Sequence, residues 1–281
     1  MKREAWAIGA YVLGASLALL LLYLGLRPGG ISPILAWKYG LQLLPLAAFT
    51  VFAVGAITAI RRKPVLRPGR KLPFLVLLLV VGAGGLELPY PSSHEGHESA
   101  ICFRLPFDRP EEGEWTVFWG GETRSESLLA TYTADRRFGL DLVVSKNGST
   151  SSDGRFLVVG AEVLAPCDGE VVDAGPRVVL QVADGEYLFL GNLDPRLVVN
   201  GQRVRTNEPI GRVGPGTSRF TPEPHLEMHL QDTAEWGMGE PIPWHFCDYV
   251  ADGKVVERGL PRGGIGPGGA LLGQRIAPRG P

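Results

Sequence analysis

The sequence predicts a mainly β soluble domain, of sandwich or barrel-sandwich type, carried on three N-terminal transmembrane helices. Three observations carry this expectation. Apolar runs dominate residues 1–90, where Glu4 and Glu87 are the only acids. Turn signals then recur at short intervals: Asp168-Gly169, Asp184-Gly185, Asn200-Gly201 and Gly214-Pro215-Gly216. Such spacing argues for a sandwich or barrel. No helical period of useful length follows residue 90.

The first apolar run, Ala5 to Leu26, contains no charge. A helix rises about 1.5 Å per residue, so roughly 20 residues cross a ~30 Å hydrocarbon core. Lys2 and Arg3 precede this run as in a signal peptide. Its apolar part is too long for one, and no small-residue cleavage site follows. The second run, Leu41 to Ile60, has Gln42, Thr50 and Thr58 as polar interruptions. The third, Leu72 to Leu86, is shorter, with Pro73 near its start and Gly82, Gly84 and Gly85 near its end. A buried or re-entrant helix is the alternative for this run.

Orientation follows from basic residues in the short loops. Arg61, Arg62, Lys63, Arg67, Arg70 and Lys71 lie between the second and third runs, against Arg27 and Lys38 in the opposite loop. The basic linker and the Lys2–Arg3 end are therefore expected in the cytoplasm. Three crossings place residue 90 onward outside a multi-pass cytoplasmic (inner) membrane protein. Two crossings would leave the domain cytoplasmic.

Beyond the membrane part, residues 91–130 read as an extracytoplasmic linker and β extension, and 131–255 as the main β domain. Residues 256–281, with GGIGPGG and PRGP, read as a flexible Gly/Pro-rich tail. Strands are expected at Ile101–Phe107, Trp115–Trp119, Gly139–Val144, Glu162–Ala165, Glu170–Asp173, Arg177–Val182, Glu186–Leu190, Ile210–Val213 and His225–Leu230. Three cysteines, Cys102, Cys167 and Cys247, form no complete disulfide framework. A single bridge is open, Cys102–Cys247 tying the ends of the domain being one pairing, and three free thiols being the alternative. A net charge of −1 gives no reason to expect a nucleic-acid partner.

From Arg137 to Leu230 the order of motifs resembles the lysostaphin/LytM-type zinc metallopeptidase domain, whose members cut peptide cross-links in bacterial cell walls. The matching pieces are FGLDLVV, GAEVLAPCDGEVVDAG, VVLQVADGEYLFL, LVVNGQRVRTNEPIGRVG and PEPHLEMHLQD. The resemblance implies a zinc ion held by two histidines and an aspartate, activating a water, with two further histidines assisting.

Aligned on those motifs, Asp141 keeps the aspartate ligand. Arg137 stands where the first histidine ligand is lost, and no histidine lies between His97 and His225 to replace it. His225 matches one assisting histidine, Asn192 stands at the other, degenerate position, and Glu227 takes the last ligand position. Strand alternation puts His225, Glu227 and His229 on one face. A carboxylate can bind zinc, but a guanidinium has no lone pair to offer a metal. Arg137 is therefore expected in the metal's place, neutralising Asp141 and Glu227, with no cofactor bound.

Three functions follow. The first is a pseudoenzyme that binds peptidoglycan or a cell-envelope protein, as degenerate LytM-type domains that activate wall amidases do. The second is an active endopeptidase using zinc through Asp141, Glu227 and either His225 or His229. The third is a structural barrel-sandwich domain of an envelope complex. His94 and His97, in PSSHEGHES, read as solvated linker residues, since HEGH lacks the spacing of two ligands on one helical face. His245 reads as a partly buried neighbour of Trp244. Trp115, Phe118 and Trp119 read as core.

Overall fold

The computed structural model describes residues 5–61, 68–83, 90–121, 126–267 and 270–280. The Lys2–Arg3 end, linker residues 62–67 and residues 84–89 at the end of the third apolar run lie outside these. The chain divides into two compact units, Met1–Ser93 and His94–Pro281.

The first unit is helical. Helix α1 (Ala5–Gly25) is followed by α2 (Ile31–Leu35), a π-helical turn (Ala36–Gly40) and α3 (Leu41–Arg61). Helix α4 (Pro68–Ala83) completes the unit. Trp6, Ala10, Ala48, Leu77 and Val80 form its buried core, with Phe74 against Trp6 and Phe52. Large apolar side chains such as Leu19, Leu22, Phe49 and Leu79 face outward, as expected where the surroundings are lipid.

Among the described residues, two helices, Ala5–Gly25 and Ile31–Thr58, are long and apolar enough to cross a membrane. That corrects the expected three. The apolar part of α4 is Lys71–Gly82, and its 16 residues span only about 24 Å.

The second unit is β-rich. Its strands, in chain order, begin with β1 (Glu114–Trp119), and after a helical turn α5 (Leu129–Tyr132) comes β2 (Leu140–Ser145). A small hairpin, β3 (Ser151–Ser152) and β4 (Arg155–Phe156), precedes β5 (Glu162–Leu164). Strands β6 (Gly169–Asp173), β7 (Val178–Ala183) and β8 (Glu186–Gly191) form a meander closed by the Asp184-Gly185 turn. Next are β9 (Leu193–Arg196), β10 (Arg203–Val204), β11 (Pro209–Val213) and β12 (Leu226–Gln231). The last are β13 (Phe246–Ala251), β14 (Lys254–Gly259) and β15 (Arg275–Pro278).

One ten-stranded sheet runs β10-β6-β7-β8-β12-β2-β1-β15-β13-β14, and a three-stranded sheet runs β5-β11-β9. A single core joins them: Leu140, Leu142, Leu226, Met228 and Leu230 meet Val163, Ile210 and Val213. This is the mainly β architecture that the turn spacing implied.

Two expectations fail. Residues 101–107 make an isolated bridge, Phe103 to Phe246, rather than a full strand. The presumed flexible tail is built into the large sheet: β14 pairs with β13, and β15 lies between β1 and β13. Composition misled here because a glycine that permits close packing looks the same in sequence as one that permits disorder. A Cβ at Gly273 would run into the Val117 carbonyl oxygen, so this backbone approach needs glycine. Cys102 and Cys247 are bridged, with Cα atoms 5.6 Å apart, and Cys167 is free and buried.

Candidate functional site

Strands β2 and β12 are antiparallel neighbours, and Glu227 sits directly opposite Asp141. Both strands are buried on both faces. The even residues of β12, Leu226, Met228 and Leu230, enter the main core. His225, Glu227 and His229 therefore share the opposite face with Asp141.

Asp141 is fully buried, and Thr221 donates its hydroxyl hydrogen bond to Oδ2. Its Oδ1 has no hydrogen-bond partner among the described residues. His225 Nε2 lies 3.8 Å from Asp141 Oδ2. His225 Nδ1 is 2.7 Å from the Glu223 carbonyl oxygen, which can only accept, so Nδ1 carries a proton. Asn192 Nδ2 stands 2.9 Å from Nε2 and donates to it. Asn192 follows β8 at φ 62°, a left-handed conformation that asparagine tolerates better than most residues. Asp141, His225 and Glu227 offer ligand atoms all within 4.8 Å of one another.

The guanidinium that meets Glu227 belongs to Arg136. Arg136 Nη1 lies 3.0 Å from Glu227 Oε1, and their side chains are 11% and 6% exposed. Arg137 instead makes a two-pronged pair with Glu95, at 2.9 and 3.0 Å. The expected neutralising role thus falls one residue earlier. The turn before β2, in which the Gly139 amide donates to the Arg136 carbonyl, brings Arg136 rather than Arg137 to Glu227.

Burial pushes the Glu227 carboxyl up, with Arg136 opposing and Asp141 adding to the rise. Arg136 remains fully charged, the pull of Glu227 and Asp135 outweighing its own burial.

His229 stacks on Phe189, its cross-strand partner, with ring centroids 4.7 Å apart, and meets the edge of Trp236 at 5.0 Å. Its Nδ1 is 3.7 Å from Glu227 Oε1. Burial first, then Arg136 and Arg177, hold its pKa well below the usual histidine value, so the ring is neutral. Arg177 Cζ lies over Trp236, 3.3 Å from the ring centroid. Sequence reasoning missed Arg136, Arg177, Thr221 and Trp236. Only Arg136 left a signal, as the other half of an Arg-Arg pair.

The sequence model of Peptidase family M23 matches residues 155–237. Among solved structures, the chain is similar to the deep-sea M23 metalloprotease pseudoalterin, at 14% identity over 64% of this chain and 100% of that one, TM-score 0.39. It is also similar to the catalytic domain of lysostaphin from Staphylococcus simulans, at 17% identity over 46% of this chain and 88% of that one, TM-score 0.31. A chain of the SpoIIQ–SpoIIIAH pore-forming complex matches at 17% identity over 50% of this chain and 89% of that one, TM-score 0.33. No curated protein matches. The β-rich unit carries a peptidase family M23 domain, the LytM/lysostaphin type.

Proposed function

We propose that this M23 domain is non-catalytic, and that the chain is a membrane-anchored peptidoglycan-binding or regulatory protein of the bacterial cell envelope. The observation that carries this reading is the buried Arg136–Glu227 pair at the place the family uses for zinc. The residues present do not fit the ion. One of the three convergent donors, Glu227, is already bonded by a guanidinium, and another, His225 Nε2, accepts from Asn192. A second cation beside Arg136 would be repelled in a medium of low effective dielectric. Neither family histidine ligand is present, since Arg137 and Glu227 stand in their places.

The close approach of Asp141, His225 and Glu227 favours a second reading, a zinc endopeptidase with altered ligands. It requires Arg136 and Asn192 to swing away. Peptidoglycan digestion by the full-length protein in detergent, in zinc and in chelator, separates the two. The proposal expects peptidoglycan or partner binding without peptide release. Chelator-sensitive release that disappears in Asp141→Asn would overturn it. Neither binding nor release would favour a purely structural domain.

The extracytoplasmic orientation belongs to the same proposal. The Cys102–Cys247 pairing supports it, since disulfides persist in oxidising compartments.

A further inference from the structure

A second cluster of metal-ligating groups lies in the β-rich unit and shares no residue with the first. His94, Asp232 and Glu240 present one ligand atom each, all within 4.8 Å of one another. His94 Nε2 is 3.6 Å from Asp232 Oδ2 and 4.0 Å from Glu240 Oε2. Four ligands at 2.0–2.2 Å around tetrahedral zinc stand roughly 3.4 Å apart, so His94 Nε2, at 3.6 and 4.0 Å from the two carboxylate oxygens, is close to that spacing.

The two carboxylates are held in place before any ion arrives. Asp232 and Glu240 flank the connection that follows β12. The Asp232 amide donates to the Glu240 carbonyl at 3.1 Å, and the Glu240 amide donates to Asp232 Oδ1 at 2.7 Å. Gln231 fastens the intervening loop through Thr233 and Glu235, at 2.6 and 2.8 Å. Glu240 is 1% exposed, so its carboxylate sits in the protein interior beside His94. Glu186 adds a third carboxylate to the field at His94.

We infer that His94, Asp232 and Glu240 bind a first-row divalent cation of the zinc class. One imidazole and two carboxylates suit zinc, with water completing the shell. Calcium would want six to eight oxygens, more than this set supplies. His94 opens the β-rich unit, so the ion would cross-link the segment that leaves the membrane unit to the loop after β12. Its role is structural: no family catalytic position contributes a ligand.

The test uses the full-length protein in detergent, stripped with chelator and titrated with zinc ion alone. Bound metal is counted by elemental analysis, and the melting temperature is read in parallel. The wild type and Glu227→Gln should each hold about one zinc per chain and melt higher with it. His94→Gln and Asp232→Asn should hold none and gain no stability from zinc. In chelator these two variants should melt close to the wild type, which shows that they fold. Zinc that survives His94→Gln overturns the inference. If that zinc is instead lost in Asp141→Asn, the non-catalytic reading falls with it. A wild type that binds no zinc overturns the inference and leaves the non-catalytic reading standing.

Discussion

Arg136 and Arg137 are adjacent in sequence and differ in what they hold. Glu227 is buried, and removing the guanidinium bonded to it by Arg136→Ala should cost about 3 kcal/mol at neutral pH, read by denaturant unfolding. Glu95 is a third exposed, so Arg137→Ala leaves a carboxylate that water can reach, and the cost should be smaller. The Arg136→Ala penalty should shrink on acidification. Without Arg136 the folded carboxyl rises further, so the folded state gains a proton before the unfolded one does. His229 works in the opposite direction. Its folded pKa is depressed, so below the ordinary histidine value near 6.5 the unfolded chain binds a proton that the folded chain refuses. Stability should fall from about pH 6.5 downward, at up to about 1.4 kcal/mol per pH unit from this group. His229→Phe should flatten that part of the unfolding profile. An unchanged acid slope would show that His229 is protonated in the folded state.

Secondary-structure elements explain why some of the site was legible and some was not. The β12 face was readable because period-two alternation is a property of extended backbone, and His225, Glu227 and His229 do share a side. Asn192 was placed by motif order and does reach His225. Arg137 was placed by its motif position four residues before Asp141, and the turn that enters β2 presents Arg136 to Glu227 instead. Trp236 and Thr221 lie outside strands, in loops brought to the site by tertiary packing that no local pattern encodes. The tail failed for a different reason: β15 is short, and its buried Ile276 is one apolar residue among prolines and glycines. Gly273→Ala should therefore destabilise the protein by about 1–3 kcal/mol, because the added methyl forces β1 and the 273 backbone apart. A wild-type melting temperature in that variant would show the contact to be slack.

At the scale of the whole molecule, the proposed outward domain is tested through the bridge between Cys102 and Cys247, residues 145 positions apart. Alkylation of intact cells followed by mass spectrometry should find Cys102 and Cys247 linked and Cys167 as the free thiol. Burial pushes the Cys167 thiol up to about 12, so it should label only after denaturation. Two reactive thiols at 102 and 247 in the native protein would point to a cytoplasmic domain.

Strand β15 has a further consequence, for biogenesis. It enters the sheet between β1 and β13, two strands made well before it. Until residue 278 emerges, β1 and β13 each present an unpaired edge, and the large sheet is split into two pieces. Vectorial synthesis therefore leaves the nascent domain with two sticky margins until its closing strand arrives. Removing residues 270–281 should shift the product into aggregates even though every residue of the candidate site is still present.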